Sequence, residues 1–282
     1  MHARWAWVTI LLLGCGSPAP QGTDDAGAPI EIEDAAVDAA ADSPIQFGDG
    51  SVPQSDAGAC DPPDMLVVLD RSDSMGKPPG DAGASKWSLA VAAIEDVSAA
   101  PVDTTLRFGL ELLPDQAGTK GCASGLLAIA PSLGSGATIA TTLGSTQLLN
   151  STPIGGALAV AQTTLQAEHV DGRGQNVLLV TDGKETCDAN PALPIVQALA
   201  AAGVHTYVVG FGGAVDAAGL NDLACAGETA QGFPAPCKQA QSGWVSNVPD
   251  TTHVFYDAAD GDELKTDLAS ITSGTCCGCQ VN

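Results

Sequence analysis

The sequence predicts an α/β domain with a doubly wound, mainly parallel central sheet flanked by helices, with one short antiparallel edge strand. Three observations carry that expectation. From Cys60 onward, short apolar runs alternate with Ala-rich segments of helical periodicity, the pattern of a sheet covered on both faces by helices. Two runs, "LVVL" (Leu66–Leu69) and "VLLV" (Val177–Val180), are apolar at every position, as suits strands buried on both faces. "LRFGLELL" (Leu106–Leu113) alternates instead, which places it nearer an edge.

Strands are expected at 65–69, 105–112, about 126–130, 176–181, 204–210 and 253–256. Helices are expected at about 85–99, where Trp87, Val91 and Ile94 share a face, and at 153–167, where Ile154, Leu158, Ala161 and Leu165 do. Further helices fit 191–202, 216–226 and 261–272, the last with Leu264, Leu268 and Ile271 aligned. No internal repeat is evident, so one domain, 60–282 with its Cys-rich tail, accounts for the folded part.

The chain has 282 residues, of which 45% are hydrophobic but only 4% aromatic, so Ala, Val, Leu and Ile must build the core. A formal charge of −23 argues against nucleic acid as a partner, because phosphate binding needs clustered Lys and Arg. Residues 1–15 read as an export leader: Arg4 precedes an apolar run too short to span a bilayer. Its end, "LLGC" (Leu12–Cys15), resembles the lipobox of bacterial lipoproteins, which implies that Cys15 is lipidated. Gly16 follows, and no Asp sits there to mark inner-membrane retention; by analogy with lipoproteins, the expected location is the outer membrane or cell surface. Residues 16–59 carry nine acidic side chains and no Lys or Arg among Ala, Pro, Gly and Ser, the composition of a disordered, self-repelling tether.

Three polar elements follow strands or open helices: Asp70, Ser72 and Ser74 after the first strand, Thr152 before a helix, and Asp182 in "VLLVTDGKE". In open α/β sheets, ligands bind at the carboxyl ends of strands, where such residues gather. In order and spacing they resemble the von Willebrand factor type A (VWA) domain over roughly residues 61–275. That family's metal-ion-dependent adhesion site is an Asp-x-Ser-x-Ser motif, a helix-opening Thr and a later Asp. The resemblance implies a Rossmann-like fold and a divalent cation held by Asp70, Ser72, Ser74, Thr152 and Asp182. It also implies a protein ligand that offers an acidic side chain. Mg²⁺ is the first expectation, with Mn²⁺ or Ca²⁺ as alternatives, since carboxylates and hydroxyls are the donors hard cations prefer. Two carboxylates match a divalent charge without repelling an incoming one.

Arg71, Lys77 and Lys184 fall in the two loops that carry the Asp residues and would attract a carboxylate. Asp73, at a variable position of the motif, is expected to face solvent. Each site residue also has a local use: Ser72 and Ser74 in a turn, Thr152 as N-cap with Pro153 at the first helical position, and Asp182-Gly183 as an ordinary turn.

An enzyme is not expected. A phosphatase-like hydrolase using Asp70 is one alternative, but haloacid-dehalogenase-type chemistry uses a second acid two residues on, where Ser72 stands. No G-x-S-x-G elbow, P-loop or dinucleotide fingerprint appears. His169, His205 and His253 fall in loops or at strand starts, away from the candidate site. A structural VWA domain with an idle site is the other alternative.

Setting Cys15 aside leaves eight cysteines, which in an exported chain read as a disulfide framework. Cys122 and Cys187 are expected to bridge the site end of the sheet, and Cys225 with Cys237 to close a small loop. Cys60 is expected to pair with one of Cys276, Cys277 and Cys279, because domain termini often lie close together. A zinc site built from the same four is the alternative.

Overall fold

A computed structural model describes residues 61–275 apart from 82, 116–123, 188–190 and 214. The expected leader with Cys15, the tether, and Cys60, Cys122, Cys276, Cys277 and Cys279 lie outside the described residues.

The strands are β1 (Asp64–Asp70), β2 (Arg107–Leu113), β3 (Leu126–Ser132), β4 (Gln175–Thr181), β5 (Val204–Phe211), β6 (Cys237–Ala240), β7 (Gly243–Ser246) and β8 (Tyr256–Ala258). The helices are α1 (Lys86–Val97), α2 (Gly136–Ser145), α3 (Ile154–Ala167), α4 (Ala192–Ala201), α5 (Ala217–Ala226) and α6 (Gly261–Thr275). Six strands form one sheet in the order β3-β2-β1-β4-β5-β8, parallel throughout except where β3 runs antiparallel to β2 at the edge. β6 and β7 make a separate antiparallel hairpin.

The unbroken apolar character of β1 follows from its central place. Successive side chains of a strand point to opposite faces. Leu66 and Val68 enter one core with residues of α3, α4 and α5. Met65, Val67 and Leu69 enter the other, shared with α1, α2 and α6. β4 divides in the same way, with Val177 and Leu179 on the first face and Leu178 and Val180 on the second. Among the described residues, no helix is long and apolar enough to cross a membrane.

Tertiary structure corrects two local readings and adds two elements. β2 alternates in sequence yet is buried along almost its whole length, because β3 covers the edge it would otherwise form. The strand expected at 253–256 begins at Tyr256. Val254 and Phe255 are buried in a loop instead, where the Asn221 side chain accepts from Val254 N (2.8 Å) and donates to Thr252 O (2.7 Å), satisfying the backbone without a ladder. α2 was not expected, since "GATIATTLGS" combines Gly and Thr, poor helix formers, with one buried i,i+4 pair, Ile139 and Leu143. The β6–β7 hairpin has too little apolar alternation to be read locally, and its strands are largely exposed or half-buried.

β2 also carries a polar group at a core position. Glu111 is fully buried, and neither carboxyl oxygen has a hydrogen-bond partner among the described residues. Gly125 makes room for it, since a Cβ there would lie 1.7 Å from Glu111 Oε1 and 3.0 Å from the Ala157 Cα of α3. Burial pushes the Glu111 carboxyl up to about 9, so it is neutral in the fold at pH 7. An unpaired buried polar group costs about 1–3 kcal/mol, comparable to the gain of about 1.5–3 kcal/mol from burying one Leu. With the folded pKa raised above the ordinary 4.5, the stability contributed by the protonated Glu111 is fully present below about pH 4.5 and is lost as pH rises through 9. Urea unfolding at pH 4.5, 7 and 9 should therefore show Glu111→Gln gaining on the wild type as pH rises. A difference that stays constant over this range would mean that the carboxyl is ionised inside the fold.

Candidate functional site

The site is assembled by the pairing of the two central strands. β1 and β4 run parallel with Leu69 opposite Val180, so Asp70 comes level with Thr181 at their carboxyl ends and Asp182 follows one residue later. Thr152 reaches them by another route. Leu149 N donates to Arg71 O (2.9 Å) and Ser72 bridges Leu149, drawing the loop before α3 against the strand β1 has just left. Within that loop Ser151 has φ 74°, a left-handed conformation uncommon for a residue with a side chain.

Four of the five expected residues form one hydrogen-bonded chain. Asp70 Oδ1 accepts from Ser72 N (2.7 Å), the Ser72 and Ser74 hydroxyls are 2.8 Å apart, and Ser74 Oγ donates to Asp182 Oδ1 (2.7 Å). Thr152 joins them from across a cleft of about 600 Å³ that is also lined by Ser74, Asp182, Lys77, Lys86 and Lys184. A Cβ on Gly183 would lie 3.5 Å from Thr152 Oγ1, an ordinary contact distance, which sets the Thr152 hydroxyl beside the Asp182-Gly183 turn. Asp73 is exposed.

Asp70 is fully buried, and desolvation raises its carboxyl to about 6. Hydrogen bonds from Thr181 and from Ser72 N act the other way by favouring the ionised form, while the charge of Asp182 adds to the rise.

Three contributors were missed in the sequence. Thr181 donates to Asp70 Oδ2 (2.7 Å) and accepts from Gly183 N (3.2 Å), tying the two Asp loops together. Its place just before Asp182 on a buried strand was the available signal. Lys86, the first residue of α1, is buried, and its ammonium pairs with Asp182 Oδ2. A cation in the first turn of a helix runs against the helix dipole, which marked the residue as unusual. Glu185 accepts from Gly155 N (2.6 Å) at the start of α3 and from Cys187 N (2.6 Å).

That contact corrects the reading of Thr152 as a cap. The helix begins at Ile154 with Pro153 in the N-cap place, and Glu185 satisfies a first-turn N–H from outside, so the Thr152 hydroxyl is not used by the helix. Arg71 is likewise turned away from the cleft. Its Nε donates to Pro114 O (2.8 Å) and its Nη2 to Asp115 O (2.7 Å), so it closes the exit of β2, and the cleft lysines are Lys77, Lys86 and Lys184.

Cys225 and Cys237 are joined, linking α5 to β6. Cys187 is disulfide-bonded, while Cys122, the partner expected for it, lies outside the described residues. His169 and His205 stand at the amino ends of β4 and β5, the opposite end of the sheet from the site. Among the described residues, no three His, Cys, Asp or Glu side chains come together as a metal cluster. The donors gathered here are instead two carboxylates and three hydroxyls, an all-oxygen set of the kind Mg²⁺ accepts.

Comparison with known proteins bears on the fold. Residues 133–235, a little over a third of the chain, match the family model of the von Willebrand factor type A domain, a stretch that includes Thr152 and Asp182. No curated protein sequence matches this one. Among solved structures, the pilus adhesin SpaC from Lactobacillus rhamnosus GG is similar with a TM-score of 0.52 and 14% identity, over 77% of this chain and 31% of that one. Proximal thread matrix protein 1 from the mussel byssus gives 0.51 and 17%, over 76% and 46%. A von Willebrand factor type A protein from Catenulispora acidiphila gives 0.51 and 16%, over 74% and 42%. The chain spans less than half the length of each of these structures. The fold is therefore that of a von Willebrand factor type A domain: a mainly parallel sheet between two layers of helices, with an antiparallel edge.

Thr181→Val removes the donor to Asp70 at nearly constant volume. In metal-free buffer at pH 8, where Asp70 is ionised, urea unfolding should show a loss of about 1.5–3 kcal/mol. The loss should shrink at pH 5, below the Asp70 pKa of about 6, where the carboxyl is protonated. A loss that does not change with pH would separate Thr181 from the ionisation of Asp70.

Proposed function

We propose that this domain is an adhesion or interaction module, not an enzyme, and that it binds an acidic side chain of a protein partner through a divalent cation, Mg²⁺ first among the candidates. The observation that carries the reading is the chain from Asp70 through Ser72 and Ser74 to Asp182 at the mouth of a cleft, with Thr152 on its other wall. A bound cation would supply a positively charged open position that a carboxylate can enter.

The protein's own residues fit that role. Asp70 and Asp182 contribute two negative charges, enough to balance a dication and too few to repel a third carboxylate. Ser74 donates its hydroxyl hydrogen to Asp182 and therefore accepts from Ser72, which leaves one lone pair on Ser74 and those of Ser72 available for a cation. Lys77 and Lys184, on the same cleft in a protein of charge −23, offset the repulsion an acidic partner meets on approach. That one protein of similar fold is a pilus adhesin is in keeping with this reading.

The leader and "LLGC" support a second part of the proposal, that Cys15 anchors the protein by lipid in the cell envelope, at the outer membrane or surface, with residues 16–59 holding the domain off the bilayer.

Calorimetric titration of the purified protein with Mg²⁺ and Mn²⁺ should show one site that Asp70→Ala and Asp182→Ala each abolish, and capture of a partner from envelope extract should be lost with chelator. Binding unchanged by both substitutions would refute the metal reading. Cys15→Ser, in turn, should move the protein from the membrane fraction to the soluble one and abolish labelling by radioactive palmitate. Retention in the membrane with no label incorporated would rule out the lipid anchor.

A further inference from the structure

Lys86 occupies a position that helix stability does not explain. It opens α1, where exposed N–H groups already present positive potential, and it is only 7% exposed. Ser85 accepts from Ser88 N (3.2 Å), so the helix end has a cap of its own without the lysine. Lys86 N donates to Lys77 O (2.9 Å), anchoring the loop from the Asp-x-Ser-x-Ser segment at the foot of the side chain. The aliphatic stem then passes the corner at the end of β5. Gly212 has φ 87°, and a Cβ there would lie 3.2 Å from Lys86 Cδ and 3.6 Å from Pro79 Cα. This channel leads the ammonium to Asp182 Oδ2, while Asp182 Oδ1 accepts a hydrogen bond from Ser74 Oγ.

Asp182 thus faces the motif hydroxyls with one oxygen and a tethered cation with the other. Two cations sharing one carboxylate repel each other, more strongly in a partly desolvated cleft than in water. Building on the proposed metal reading, we infer that Lys86 is a built-in counter-cation that holds Asp182 when no metal is bound and competes with the divalent ion for it. The ammonium compensates the buried carboxylate in the metal-free protein and must yield that oxygen when a dication enters, so Lys86 sets the metal concentration at which the site becomes competent for a partner. The cleft that Lys86 lines also holds Asp216, a carboxylate that can receive the displaced ammonium.

The test is Mn²⁺ titration of wild type, Lys86→Met and Lys86→Gln, paired with thermal unfolding in chelator and in Mg²⁺. Both variants should bind Mn²⁺ at least tenfold more tightly than wild type. In chelator they should melt below wild type, and Mg²⁺ should restore them to the wild-type melting temperature or above. The unmodified protein supplies a check free of any folding defect: acetylation of Lys86 by acetic anhydride, mapped by mass spectrometry, should rise several-fold when Mn²⁺ is added. Equal Mn²⁺ affinities in all three proteins, or labelling of Lys86 unchanged by bound Mn²⁺, would overturn the inference and leave the metal reading standing. No Mn²⁺ binding in any of the three would overturn both, by removing the reading on which the inference rests.

Discussion

Parallel pairing of β1 with β4 is the constraint on which the rest of the molecule depends. Its register sets Leu69 opposite Val180, which brings two chain exits to the same end of the sheet with Asp70 level with Thr181. A one-residue slip would turn every side chain of β1 to the other face. Leu66 and Val68 would then leave the core under α3, and Asp70 would lose both Thr181 and its line to Asp182. The apolar packing that holds the register therefore also positions the charges, so the site inherits its precision from the core.

Two buried carboxyls show what hydrogen bonding decides once burial is equal. Asp70 and Glu111 are both fully buried on neighbouring strands. Asp70 receives donors from Thr181 and from Ser72 N, and its carboxyl is held near 6. Glu111 receives none among the described residues and is driven to about 9. Burial raises both, and the donors at Asp70 recover the charged form near neutral pH. Of the two, only Asp70 is suited to hold a cation.

The charge distribution has a similar logic. The chain carries 10 Lys and Arg against 33 Asp and Glu, yet three of those ten line one cleft with Asp182. Arg71, nearest of all to the motif in sequence, is bound to the carbonyls of Pro114 and Asp115 instead. A basic residue's effect on the site follows from where its side chain can reach, and adjacency along the chain is a poor guide to that.

By itself the sequence determined the parallel sheet and its antiparallel edge, because fully apolar runs between helical segments can be buried in few other ways, and it picked out Asp70, Ser72, Ser74, Thr152 and Asp182. Those signals are local in kind: residue type, periodicity, and position at the end of a strand or before a helix. The contributions of Thr181, Lys86 and Glu185 arise from contacts between segments about a hundred residues apart in two cases and 30 in the third, where no local pattern records the partner. Helix α2 and the burial of β2 were hidden for the same reason, since their neighbours in space, not their own propensities, decide them. Tertiary structure alone decided that Asp182 faces a hydroxyl on one side and an ammonium on the other. Side-chain reach and strand register are properties of the packed chain.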